Sequence, residues 1–171
     1  MKNKIYFDLD GVLRSLADGI GGMKLKTWDD LAPNGQTFCG YIDDRLEVLL
    51  EAPRTKYFDV ITGNGPIDIV TYQAPSWRPN TVEWVARNIP GKYTLTFVDS
   101  MEGKLKYLER GFLVEDYPKF PREAYDRIVL IDYPYNRGID ALARVKRPWE
   151  LETILQVLRQ SHIVCRSTTP P

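Results

Sequence analysis

The 171-residue chain holds one histidine and two cysteines, and its charges cancel. Lys plus Arg and Asp plus Glu each number 23, for a formal net charge of zero. A balanced chain has no general electrostatic grip on nucleic acid or an anionic membrane, so strong nucleic-acid binding is not expected. The lone His162 lies in the C-terminal tail, away from any motif. Zinc-ligand spacing, a P-loop and a G-x-S-x-G elbow are all missing, which removes the chemistries they carry. Cys39 and Cys165 are far apart and make no disulfide framework. We read them as reduced thiols, which places the protein in the cytoplasm as an expectation. No apolar run approaches membrane-span length. The opening "MKNKIYFDLDG" is too short in apolar residues for a signal peptide and is broken by Asp8. Internal repeats and low-complexity segments are lacking too, so residues 1–171 read as a single domain with a loosely held tail from about 160.

What is present is ordinary globular composition, 43% hydrophobic and 27% charged. Five short apolar runs read as strands: residues 5–9, 67–72, 93–98, 111–116 and 127–132. Most lack alternation, as buried parallel strands do. Helical patterns lie among them. "NTVEWVARNI" opens with Asn80 and Glu83 as a capping box and places Val82, Val85, Ala86 and Ile89 on one face. "YIDDRLEVLLEA" aligns Ile42, Leu46, Leu49 and Leu50. "PWELETILQVLRQ" starts at Pro148 and carries a stripe of Leu151, Ile154, Leu155 and Leu158. Strands alternating with helices predict an α/β fold, a doubly wound, Rossmann-like three-layer sandwich with about five mainly parallel strands. About 55 residues separate the first two strands, far more than a plain crossover needs. Residues 14–52 therefore read as a cap or flap insert with the first helices, set over the C-terminal edge of the sheet.

The chemistry begins in "FDLDGVL". Asp8 and Asp10 stand at the exit of the first strand, where period two points both carboxylates to one side. Two such charges repel, and a divalent cation with oxygen ligands resolves the repulsion. Gly11 lets the backbone turn and approach a ligand. A carboxylate can attack phosphorus, and a second can carry the proton that the leaving oxygen requires.

This stretch resembles the first motif of the haloacid-dehalogenase-like phosphohydrolases, an apolar strand followed by D-x-D-G-[TV]. The resemblance implies that Asp8 is a nucleophile forming an aspartyl-phosphate and that Asp10 is the acid and base. It implies Mg²⁺ as cofactor, with Asp10 contributing its backbone carbonyl. The family also needs a phosphate-binding hydroxyl after the second strand, for which Thr71 is preferred and Thr62 is the rival. It needs a lysine, which resemblance assigns to Lys104, with Lys106 as competitor. It needs an acidic pair after the fourth strand, supplied by Glu115 and Asp116, with Asp116 favoured as direct metal ligand and Glu115 as its support. Resemblance thus gives Thr71, Lys104 and Gly11 to phosphate binding, and Asp8, Asp10, Asp116 and Glu115 to the metal.

"VTYQAPSWRPNTVEWV" and "LIDYPYNRGIDALARVKRPWEL" look like the 5'(3')-deoxyribonucleotidase-like branch, through Pro134, Tyr135, Asn136, Arg144, Val145 and Trp149. The expected activity is Mg²⁺-dependent hydrolysis of a small-molecule phosphomonoester, a nucleoside monophosphate by branch resemblance. A polynucleotide 3'-phosphatase, another small-metabolite phosphatase and a catalytically weak binding module are the alternatives. Arg14, Tyr72, Gln73, Trp77 and Arg78 are the candidate substrate pocket, and Trp28 a candidate closing residue. Trp77 and Trp84 read equally as core or interface aromatics. Oligomeric state is open between monomer and homodimer.

Overall fold

The computed structural model describes residues 3–160. The sequence pattern predicts five strands, and the fold has six, all parallel: β1 (Lys4–Phe7), β2 (Ile67–Tyr72), β3 (Tyr93–Val98), β4 (Gly111–Glu115), β5 (Ile128–Ile131) and β6 (Ala143–Val145). The unforeseen strand β6 is three residues long and includes Arg144, too short and too polar to leave a hydropathy signal. Their order is β3-β2-β1-β4-β5-β6. The chain runs outward from β1 in one direction and then, from β4, in the other. The β1/β4 junction is therefore the topological switch point, where loops leave to opposite sides and open a crevice.

The central strands are buried on both faces, which explains their unbroken apolar runs. Phe7, Ile69, Val114 and Ile131 face one layer, where they meet α4 (Phe58–Thr62), α5 (Arg78–Asn88) and α7 (Pro148–Gln160). Tyr6, Val70, Leu113 and Leu130 face the other, where Leu108 of α6 (Leu105–Leu108), Phe120 and Tyr125 cover them.

Helix α7 follows its pattern: Pro148 is its first residue, and Leu151, Leu155 and Leu158 are buried. Glu150 accepts the backbone N–H groups of Lys146 and Arg147 at 2.7 and 3.1 Å, closing its N-terminus. Helix α5 departs from expectation. It starts at Arg78, so Asn80 lies inside it, and the Asn80 amide donates to Leu46 O at 2.7 Å instead of capping. Its inward face is Thr81, Trp84 and Val85, while Val82 and Ala86 point outward. A buried threonine disguised the true stripe.

The segment between β1 and β2 carries α1 (Leu16–Gly19), α2 (Phe38–Asp43) and α3 (Val48–Glu51) ahead of α4. The expected single helix over "YIDDRLEVLLEA" is broken into α2 and α3, with Thr37 accepting the Gly40 N–H at the start of α2. Leu16, Ile20, Ile42, Val48 and Leu49 form a small core of their own, closed by Trp77. His162 and Cys165 lie outside the described residues, as does the expected loose tail; Cys39 is an exposed free thiol. No helix among the described residues is long and apolar enough to cross a membrane.

Candidate functional site

Strand β1 stops at Phe7, yet Asp8 still donates its N–H to Val114 O at 2.9 Å. That bond fixes Asp8 at the switch point beside β4. The chain then tightens: Leu13 and Arg14 both donate backbone N–H to Leu9 O, and Gly11 donates to Arg14 O. This turn separates the two carboxylates that a continued strand would have aligned, and each finds its own cation.

Asp8 meets Lys104, whose Nζ is 2.8 Å from Asp8 Oδ1 and 2.7 Å from Glu115 Oε2. Lys104 is only 1% exposed. It ends the short turn Glu102–Lys104 after β3, and so reaches the crevice from the far side of β2. Glu115, the last residue of β4, directs Oε2 to Lys104 and accepts the backbone N–H groups of Asp116 and Tyr117 at Oε1. Asp116 follows, with Tyr135 donating its hydroxyl to Oδ2 and Asn136 donating its amide to the Asp116 carbonyl. Asp8, Glu115 and Asp116 each present a carboxylate oxygen within 4.8 Å of the others.

Gly11 is needed here for two reasons. Its φ is +80°, and a Cβ would lie 2.1 Å from Asp116 Oδ2. Only a residue without a side chain allows the loop to press against that carboxylate.

Burial, with Glu115 beside it, pushes the Asp8 carboxyl up to about 7, against the pull of Lys104. Burial, then Glu115 and Asp8, hold Asp116 well above the carboxylate range. Burial would raise Glu115 as well, but the charge and hydrogen bond of Lys104 together with the bonds from Asp116 outweigh it, and the group is held low. Three buried carboxyl groups thus share one ammonium, an excess of two negative charges when all are ionised. Asp8 Oδ1 touches Lys104 only as an ion contact and has no partner in hydrogen-bond geometry. A hard divalent cation with oxygen ligands fits that donor set, that charge and that unsatisfied oxygen.

Asp10 belongs to a second, linked cluster. Arg14 Nε and a terminal N–H donate to its two oxygens at 2.7 and 3.2 Å, and Gln73 adds a bond at 2.5 Å. Thr81 donates to Gln73 Oε1 and accepts from Arg14. Arg14 also donates to Leu49 O and is fully buried beside the Trp84 ring. Arg14 and Gln73, both expected in the substrate pocket, brace Asp10. Of the expected metal ligands the structure groups the carboxylates of Asp8, Glu115 and Asp116, while the Asp10 charge still acts on Asp8 from beside them.

The remaining candidates are scattered. Thr71 is buried near the end of β2, whereas Thr62 ends α4 and donates its hydroxyl to Phe58 O. Trp77 is in the core of the insert, with its indole N–H on Asp43 at 2.6 Å. Arg78 donates to Gln73 O and pairs loosely with Asp99 at 3.5 Å. Tyr72 is 44% exposed at the sheet edge. Two participants were not read as site residues from sequence: Tyr135, which grips Asp116, and Thr81, which anchors Gln73. Thr81 could have been found as the polar residue on an otherwise apolar helix face.

Trp28 comes from the insert and packs edge-on against Tyr117 at 5.0 Å and Tyr135 at 5.4 Å. Asp29 beside it pairs with Lys119 at 2.9 Å. The insert therefore reaches the acidic cluster through a single layer of aromatic rings. No protein-family profile matches the chain, and no curated protein matches it in sequence.

Proposed function

We propose that the chain is a Mg²⁺-dependent phosphomonoester hydrolase that works through an aspartyl-phosphate on Asp8. The observation that carries this reading is the buried Asp8–Lys104–Glu115–Asp116 cluster at the switch point, with its surplus negative charge. Asp8, Asp116 and Glu115 would hold the ion, which when bound would offset repulsion between an anionic nucleophile and an anionic phosphate.

The protein's own groups then divide the work. An Asp8 oxygen attacks phosphorus, the P–O ester bond breaks, and its electron pair leaves on the departing oxygen. Asp10 supplies the proton that oxygen takes up. Water next attacks the phosphorus, Asp10 takes a proton from it, and the bond to Asp8 breaks with its electrons returning to the carboxylate. Free phosphate departs. Lys104 stabilises charge on Asp8 and on the transferring group, and the Arg14–Gln73–Thr81 brace fixes the direction of Asp10.

The substrate class we favour is a nucleoside monophosphate. The branch resemblance points there, and a partly exposed Trp28 near the cluster offers a ring on which a base can stack. The test is a panel of ribo- and deoxynucleotides, sugar phosphates and an aryl phosphate, each with and without chelator. Asp8→Asn keeps the shape and the Lys104–Glu115 pair, and should lower turnover by at least ~10³-fold while the protein still melts cooperatively. Normal turnover in that variant would exclude the covalent route. Phosphatase-inactive wild type with Mg²⁺ would exclude the proposal as a whole.

A further inference from the structure

The two edges of the sheet are treated differently. β6 is three residues long, carries Arg144, and is closed where it ends by Lys56, whose ammonium donates to Lys146 O at 2.7 Å. β3, on the opposite edge, runs six residues as Tyr-Thr-Leu-Thr-Phe-Val, without charge, proline or glycine. Among the described residues, no hydrogen bond reaches its outer side. Edges of this kind are usually shortened, charged or covered, because they template further pairing.

The direction of the free groups follows from one bond. Lys92 O accepts from Ile67 N at 3.2 Å, so the backbone groups of Lys92 point toward β2. The two groups of a strand residue share a side, and successive residues alternate. Tyr93, Leu95 and Phe97 therefore present theirs outward, with Leu95 at the centre. The sequence is nearly symmetric about that residue: Thr94 and Thr96 flank it, then Tyr93 and Phe97. A two-fold interface needs this property, since each residue must suit its mirror position.

We propose that β3 is a homodimer interface, with a second copy of the chain adding its own β3 antiparallel about a two-fold axis through Leu95. Leu95 then faces Leu95, and Tyr93 faces Phe97 twice, each pair exchanging both backbone bonds, about six in all. Aromatic pairs form on one face and Thr94–Thr96 pairs on the other, both favourable across strands. Charge sets the direction. Lys92 flanks one end of β3 and the fully exposed Asp99 the other. Antiparallel pairing brings each lysine end to an aspartate end, whereas parallel pairing would match like with like. The axis closes the assembly at two copies and leaves the acidic cluster uninvolved.

Sedimentation equilibrium on the full chain from about 1 to 200 µM tests this, since a single added strand pair is a small interface with expected half-dimerisation on the order of 10–100 µM. The double variant T94K/T96K places like charges opposite each other and should weaken the dimer by at least ~10-fold. T94K/T96E places opposite charges opposite each other in the same register and should dimerise at least as tightly as wild type. Melting temperatures within a few degrees of wild type confirm that both variants fold. A monomeric wild type across this range, assemblies larger than two copies, or a T94K/T96E variant as dissociated as T94K/T96K would each overturn the proposal.

Discussion

Replacing Lys104 by methionine tests the electrostatics of the site directly. The ammonium is 1% exposed and lies 2.8 Å from Asp8 and 2.7 Å from Glu115. Methionine fills a similar volume, so packing is roughly kept and the charge alone is lost. Two buried carboxylates then have no cation. Removing one partner of a buried ion pair costs about 3–5 kcal/mol. For a chain of this size that is a fall of about 6–20 °C in melting temperature. The loss must depend on pH. In wild type, Glu115 is held low, so its contribution is present above its unfolded value near 4.5 and fades as pH falls. Asp8 is pushed up to about 7, so its contribution is full below 3.8 and is lost as pH rises through about 7. Without Lys104 both carboxyls shift upward, and the folded variant then binds more protons than its unfolded chain between about pH 4 and 7 or above. The gap between wild type and Lys104→Met should be small near pH 4.5 and complete by about pH 8. Thermal or urea melts in chelator at about pH 4.5, 6 and 8 measure it. A gap below about 1 kcal/mol at pH 8, or one that does not change with pH, would refute the reasoning.

Further outcomes follow from the same geometry. Mg²⁺ should raise the melting temperature more at about pH 8 than at about pH 5.5, because binding must displace the proton that Asp8 holds up to about 7; calorimetry in two buffers of different ionisation enthalpy should detect its release. Tyr135→Phe leaves Asp116 Oδ2 without its hydroxyl donor and should weaken Mg²⁺ binding about tenfold with little change in melting temperature of the metal-free protein. Gly11→Ala forces a Cβ to 2.1 Å from Asp116 at a φ of +80° and should cost about 2–4 kcal/mol. Gly138→Ala, at a φ of +87° with open space around it, should cost only about 1–2 kcal/mol, and equal losses at the two sites would show that the Asp116 contact is not what makes Gly11 necessary.

The α/β class was legible in the sequence because buried parallel strands leave largely apolar runs, most plainly β4 and β5, whereas the edge strand β3 alternates threonine with apolar residues. α7 was legible for a similar reason, since one apolar stripe decides which face of a helix turns inward. Asp8 and Asp10 could be picked out because they stand at a strand exit, whereas Lys104 and the Glu115–Asp116 pair were picked out only by their order in the resemblance. Local pattern could not reveal what each carboxylate faces. Period two aligned Asp8 with Asp10, but the strand ends at Phe7 and the following turn sends them to different cations, Lys104 and Arg14. Arg14 reads from sequence as a candidate pocket residue; only packing among Asp10, Thr81, Leu49 and Trp84 makes it an internal brace. Local sequence records the period of a strand and the stripe of a helix. Which distant charges share a buried space is set by strand order, and strand order is a property of the whole chain.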